Sequence, residues 1–226
     1  MASYFNLTLD TLAPAGLTVK INGDDIYTTS TAVNLALTLT DLETTGYQMK
    51  IWGIDGVADE SSASWEAYAA SKSIALPSGD GLKTVSVKVR DSVGNETAAA
   101  SDSITLDTSV PTVTVTGPDR PVISEVAGFN QAIINFMSDI AFVEYKVCVV
   151  PATSSTQEAG TLIPITNGSI NTSGTSEDEP FEADSNIQVT INGADLGEVT
   201  LHGADGAEPD IIKVFVKNAA GTWSNA

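Results

Sequence analysis

Side chains that serve catalytic and metal sites are scarce in this chain. Its 226 residues include a single cysteine, Cys148, and a single histidine, His202. A lone cysteine forms no internal disulfide, and the apolar run around Cys148 predicts a small core residue. Nucleophilic catalysis needs a histidine beside the nucleophile, and a zinc site needs three or four ligands. The sequence therefore predicts a protein that is not an enzyme, with no catalytic and no metal-binding residues.

Basic residues are also few. Lysine and arginine together number 10 against 29 acidic residues, which gives a net charge of −19. Such a surface repels phosphate backbones and anionic lipids, so we expect no nucleic-acid and no membrane partner. No apolar run approaches the roughly 18 residues of a membrane helix. The first residues also lack the features of a signal peptide, which predicts a soluble protein made in the cytoplasm.

A sequence motif that occurs twice in the chain is its most informative feature. Val85–Thr97 returns as Ile212–Ser224, and each copy alternates apolar and polar residues before an Asp or Asn and a Gly. This pattern is typical of a half-buried strand that runs into a tight turn. Two copies of the motif predict two similar β-domains.

A second repeat sets the domain boundaries. Thr8-Leu-Asp-Thr11 recurs as Thr105-Leu-Asp-Thr108, and a proline follows each copy. We therefore predict an all-β chain with domains at 1–109 and 110–226. The two copies of the strand and turn are farther apart in sequence than the two copies of Thr-Leu-Asp-Thr. The second domain is therefore predicted to carry an insertion of about 30 residues near 151–184, as a loop or hairpin.

Three segments of domain one resemble bacterial Ig-like sandwich modules: Trp65–Tyr68, Leu76–Val85 and Val87–Asn95. The resemblance implies two tandem Ig-like antiparallel β-sandwich domains, with Trp52 as a core residue of the third strand. It covers domain two only at the first, third and closing strands. There Asn218 and Thr222 replace the Asp and Asn of the motif, which leaves open whether the turn is the same.

Paired modules of this kind resemble accessory structural proteins of tailed bacteriophages, which decorate heads or occur on tails. This resemblance implies a non-enzymatic virion protein, located in the virion and bound to other capsid or tail proteins. A bacterial surface adhesin or carbohydrate-binding Ig-like module is the alternative. In that case Trp65 and Tyr68 are the candidate contacts to a host-surface glycan or another partner, because exposed aromatic rings stack on sugars.

Acidic residues leave two further alternatives open. Paired carboxylates would serve glycoside hydrolysis, although the acids lie mainly in turns. No cofactor is predicted, but a structural calcium ion is an alternative, since calcium takes oxygen ligands from flexible loops. Asp91, Asn95 and Asp107 would supply some of these ligands, as would residues 203–210.

The last strand of domain two is missing from its expected place. Domain one continues after its turn into Ser101–Thr108, whereas only Thr222–Ala226 follow Gly221. Tyr4–Thr11 matches that last strand. We therefore hypothesise that residues 4–11 pair with domain two of a neighbouring copy, or with a partner protein, by strand addition. In the alternative, residues 4–11 form the first strand of domain one, and the insertion covers the edge of domain two.

Four apolar residues define this candidate strand-exchange segment: Tyr4, Phe5, Leu7 and Leu9. A sandwich sheet without its last strand exposes unpaired backbone groups, which proteins normally cover. Assembly, including self-assembly, is therefore a stronger expectation from this sequence than catalysis.

Overall fold

The computed structural model describes residues 7–40, 46–151, 153–154, 156, 158, 161–163, 181–197 and 210–225. The chain forms two compact units, residues 1–108 and 109–226, and the division falls beside the predicted boundary. Each unit is a sandwich of two β-sheets. The predicted fold class, all-β with two tandem Ig-like sandwiches, is confirmed.

Domain one consists of a three-stranded sheet, in the order β1-β3-β6, packed on a five-stranded sheet, in the order β2-β8-β7-β4-β5. Neighbouring strands are antiparallel except β2 and β8, which are parallel. Its strands are β1 (Thr18–Ile21), β2 (Tyr27–Thr28), β3 (Ala32–Thr38), β4 (Gln48–Trp52), β5 (Glu66–Ala67), β6 (Ser71–Ala75), β7 (Gly81–Arg90) and β8 (Ala100–Leu106).

Alternating side chains build the core of domain one. On β3, Val33, Leu35 and Leu37 point inward while the residues between them are exposed or half-buried. This period of two follows from the pleat of a strand. The prediction that Trp52 is a core residue is wrong, because Ile51 fills the core and Trp52 lies half-buried on the opposite face. A shift of one residue reverses the face of a strand residue.

Domain two packs a β9-β10-β13 sheet against a β12-β11-β14 sheet. Within the described ranges, no helix is long and apolar enough to cross a membrane. The elements are β9 (Val113–Thr116), β10 (Gln131–Ser138), β11 (Glu144–Pro151), β12 (Thr161–Leu162), β13 (Ile187–Asn192), α1 (Gly193–Gly197) and β14 (Asp210–Lys217).

The insertion of domain two is divided around β13. Most of the extra residues lie between β11 and β13, and the remainder, including α1, lie between β13 and β14. β12 belongs to the first part and pairs with β11, with Cys148 opposite Leu162. β12 therefore lies on the edge of its sheet opposite to β14.

Aromatic rings fill the core of domain two. Phe136, Phe142, Tyr145 and Phe181 are buried, with ring centroids 4.6 Å apart for Phe142 and Phe181 and 5.1 Å apart for Phe136 and Tyr145. Cys148 is buried on the opposite face of β11, in a small separate cluster with Val150 and Phe215. Burial raises the pKa of its thiol.

Tyr145 contributes an unpaired hydroxyl to this core. The hydroxyl is buried and has no hydrogen-bond partner in the part of the chain that the structure describes, and burial raises its pKa to about 12. An unpaired buried polar group costs about 1–3 kcal/mol. Tyr145→Phe is therefore expected to raise the free energy of unfolding of domain two by about 1 kcal/mol.

Tyr68→Phe is the matched control for this prediction. The Tyr68 hydroxyl donates to the carbonyl oxygen of Leu37 at 3.4 Å, so its removal is expected to destabilise domain one slightly. Scanning calorimetry of both variants measures the two effects. A loss of stability in Tyr145→Phe equal to that in Tyr68→Phe would contradict the assignment of an unpaired hydroxyl.

Candidate functional site at the edge of domain two

The outer edge of β7 in domain one is closed by β8. The two strands pair from Gly81 opposite Leu106 to Val87 opposite Ala100. Ile104 on β8 belongs to the domain-one core, and Val85 on β7 is fully buried. We call β8 the closing strand, because it covers both the backbone and the apolar side chains of β7.

The strand β14 is the counterpart of β7 in domain two, and no strand formed by the described residues covers its outer edge. Its inner side pairs with β11 from Glu144 opposite Lys217 to Pro151 opposite Asp210. Among the residues that the structure describes, its outer side makes only the bridge between Lys217 and Trp223. Ile212, the counterpart of the fully buried Val85, is 40% exposed. Within the described ranges, the edge therefore has no closing strand.

An apolar groove of about 150 Å³ lies between the two sheets beside this edge. Its walls come from both sheets and from the loop between β9 and β10, with Arg120 as a charged member. Other lining residues are Val115, Ile134, Ile191, Leu196, Ile212 and Val214.

The loop at 117–130 is a part of the site that sequence reasoning missed. It carries three exposed apolar side chains, Val122, Val126 and Phe129. Arg120 stacks on Phe129, with its guanidinium carbon 5.7 Å from the ring centroid. The available signal was the presence of apolar residues in a segment otherwise rich in turn residues.

The turn after β14 is the same as the turn after β7. Asn218 Oδ1 accepts from the amide of Thr222 at 2.8 Å, as Asp91 Oδ1 accepts from the amide of Asn95 at 2.9 Å. The Ser224 hydroxyl likewise accepts from the amide of Val216 at 3.1 Å. These turn hydrogen bonds are therefore preserved although Asn replaces Asp.

Hydrogen bonds determine the ionisation of Asp91. Partial burial by itself raises the pKa of this carboxyl. Hydrogen bonds from the Asn95 side chain and from the amides of Asn95, Val93 and Gly94 lower the pKa by more, so the pKa of Asp91 lies below its ordinary value. No cluster of three or more candidate metal ligands occurs in the described ranges. Residues 203–209 of the second calcium alternative lie outside them, and calcium binding stays untested.

Trp65 and Tyr68 flank β5 in domain one. The half-buried Trp65 ring lies 4.3 Å from the guanidinium carbon of Arg90 and 4.9 Å from Lys50 Nζ, distances typical of cation–π contacts. Tyr68 packs against the domain-one core, and burial raises its pKa. Neither arrangement tests glycan binding, which stays a prediction.

The described part of the strand-exchange segment is exposed. Residues 7–11 belong to no strand, and the first strand of domain one begins at Thr18, so this part does not support the alternative in which residues 4–11 form that strand. Leu7 and Leu9 are 88% and 86% exposed. Tyr4 and Phe5 lie outside the described residues.

Comparisons with known proteins identify no relative. No protein-family model and no curated protein matches the chain. The fibronectin(III)-like modules of Clostridium thermocellum CbhA share 13% identity at a TM-score of 0.46, over 92% of this chain and 89% of theirs. Carbohydrate-binding modules of the β-sandwich superfamily share 12% identity at a TM-score of 0.39, over 95% of this chain and 99% of theirs. Likenesses this weak carry no argument about function.

Proposed function

We propose that this chain is a non-enzymatic structural module that joins a larger assembly by accepting a β-strand at the outer edge of β14. The observation that carries the proposal is the exposure of Ile212, whose counterpart Val85 lies fully buried beneath a closing strand. An added strand would pair with the free backbone groups and bury apolar side chains in the groove.

The energetics favour occupation of this edge. Each large aliphatic side chain that moves from water into the groove contributes about 1.5–3 kcal/mol, before the cost of ordering the strand. The net charge of −19 opposes unspecific contact between copies of the chain. Association therefore depends on a specific apolar and backbone match rather than on general attraction.

An accessory protein of a tailed-phage capsid or tail is the setting that the sequence resemblance favours, although neither protein compared above is a phage protein. In this setting the module is located in the virion, and its partners are other virion proteins. Mass spectrometry of purified phage particles would test it. Particles that never contain the chain would rule it out.

Acceptance of a strand is tested by supplying one covalently. A copy of residues 100–108 is appended after Ala226 through a glycine-rich linker. We expect domain two to gain at least about 1 kcal/mol, a rise of about 4–8 °C in its Tm. The control appends the same strand with Asp in place of the residues copied from Ile104 and Leu106. Equal Tm values for the two fusions would overturn the proposal.

A surface adhesin or carbohydrate-binding module is the second candidate, and the half-buried Trp65 ring favours it. Arg90, which lies over that ring, also holds the Gln48 side chain through two hydrogen bonds of 2.8 and 2.6 Å. A sugar can stack on such an aromatic ring while the polar groups around the ring form hydrogen bonds to its hydroxyls. On a glycan array, Trp65→Ala should abolish binding and Trp223→Ala should retain it. An array without signal for the unaltered chain would exclude this candidate.

A further inference from the structure

We infer that the strand that closes domain two is residues 4–11 of a second copy of this chain, so that copies join head to tail. We call residues 4–11 the donor segment. This inference rests on the proposed function, because it names the partner of the same edge. It is carried by the sequence repeat and by the exposure of the donor leucines.

The donor segment repeats the closing strand of domain one. Leu7 and Leu9 occupy the positions of Ile104 and Leu106 in the two copies of Thr-Leu-Asp-Thr. Ile104 and Leu106 are buried, whereas Leu7 and Leu9 are almost fully exposed. Two large apolar side chains in water, in a segment whose copy is a core strand, indicate that the segment has a burial site elsewhere.

Strand alternation gives the donor segment a suitable apolar face. Residues 102, 104 and 106 of β8 share one face, and their counterparts are Phe5, Leu7 and Leu9. In domain one Asp102 accepts a hydrogen bond from the amide of Ile21 at 2.7 Å. Phe5 replaces this carboxylate with an apolar ring, which matches the apolar groove of domain two better than a copy of β8 would.

Asp10, which follows the donor leucines, is held by the turn of domain one. Asn95 Nδ2, in the turn of domain one, donates to the carbonyl oxygen of Asp10 at 3.4 Å. Asn218 Nδ2, in the turn of domain two, donates to the carbonyl oxygen of Ser109 at 3.1 Å. In the second case the residues just before Ser109 end a closing strand. The first contact lies two positions earlier in the repeat, since Asp10 corresponds to Asp107, and Leu7 to Leu9 is unpaired within the described residues.

The repeat also predicts the register of the joined strands. Val85 lies opposite Asp102 and Lys83 lies opposite Ile104 in domain one. The corresponding pairs are Ile212 opposite Phe5 and Asp210 opposite Leu7, with the two strands antiparallel. Donor and acceptor are different surfaces of the chain, so each added copy presents a further free edge. Contacts of this heterologous type produce open chains rather than closed dimers.

Sedimentation velocity of the full chain over a range of concentrations tests the inference. We expect a series of species heavier than the monomer that grows with concentration. The double substitution Leu7→Asp/Leu9→Asp should abolish this series. Leu12→Asp, at an exposed leucine just beyond the donor segment, is the matched control and should retain it. Assembly that persists in the double variant would overturn the inference.

Cysteine pairs test the register and separate a second copy from the same copy. Phe5→Cys/Ile212→Cys should give a ladder of disulfide-linked oligomers under oxidation, because directly opposed strand residues lie within disulfide reach. Thr11→Cys/Ile212→Cys, which is out of register, should give none. A crosslink confined to the monomer would overturn the assignment to a second copy.

A mixing experiment distinguishes this inference from the proposed function. The fusion with an appended closing strand has a free donor segment, but its β14 edge is occupied by the appended strand. The Leu7→Asp/Leu9→Asp variant has a disabled donor segment, but its β14 edge is free. Together they should form a dimer that grows no further. If the appended strand stabilises domain two while no mixture or single chain associates, the inference fails and the proposed function stands. If the appended strand has no effect, both fail.

Discussion

Leu106→Ala is expected to lower the free energy of unfolding of domain one by about 2–5 kcal/mol, the usual cost of truncating a buried leucine. Leu9→Ala, in the same Thr-Leu-Asp-Thr sequence, is expected to change the stability of the monomer by less than about 0.5 kcal/mol, as exposed substitutions do. The difference follows from burial alone, because Leu106 is 1% exposed and Leu9 is 86% exposed.

Chemical denaturation at a concentration where the chain is monomeric measures both values. Both leucines follow a threonine and precede Asp-Thr, so local propensity and composition largely cancel. Similar losses in the two variants would mean that Leu9 is buried within its own chain. That result would also remove the main support for an intermolecular closing strand.

Gly53→Ala is expected to lower the free energy of unfolding of domain one by about 2–5 kcal/mol, for two reasons. Gly53 has a φ of 79°, a conformation that residues with a Cβ adopt only with strain. A Cβ at this position would also collide with the carbonyl oxygen of Thr84 on β7. The backbone at the end of β4 would have to move away from its neighbouring strand.

Gly56→Ala separates these two causes. Gly56 has a similar φ of 74°, but a Cβ there meets no atom within 4 Å. We expect Gly56→Ala to lower the free energy of unfolding of domain one only by the cost of the strained backbone conformation, about 1–2 kcal/mol. Thermal unfolding of the two variants measures the difference. Equal losses would show that conformation alone accounts for the effect at Gly53.

The elements that the sequence predicted best are those that it contains twice. The alternation in Val85–Arg90 is strict and that in Ile212–Lys217 is interrupted only by Phe215, and both segments are strands with Val87, Val89, Val214 and Val216 buried. Their turns were also predictable, since Asp, Asn and Gly have local backbone preferences. Local patterns of this kind are sufficient because each residue's environment is set by its immediate neighbours in the strand.

Features that depend on tertiary packing were harder to predict. The face of Trp52 depends on which residue of β4 meets the opposite sheet, and an apolar run at 51–52 does not fix that choice. The groove could not be predicted either, because it is made by residues far apart in sequence, among them Val115, Ile134 and Val214. What the sequence did indicate was the correspondence of β14 with β7, and therefore the strand beside which the groove lies.

The two matched turns differ in one titratable group. Asp91 has a lowered pKa, so the stabilisation from its hydrogen bonds is fully present above the ordinary pKa of an aspartate and is lost as the pH falls through the lowered value. Asn218 makes the corresponding bond with an amide oxygen, which takes up no proton in that range. Acid therefore weakens this hydrogen bonding in the turn of domain one and leaves the corresponding bond in the turn of domain two, next to the outer edge of β14, unchanged.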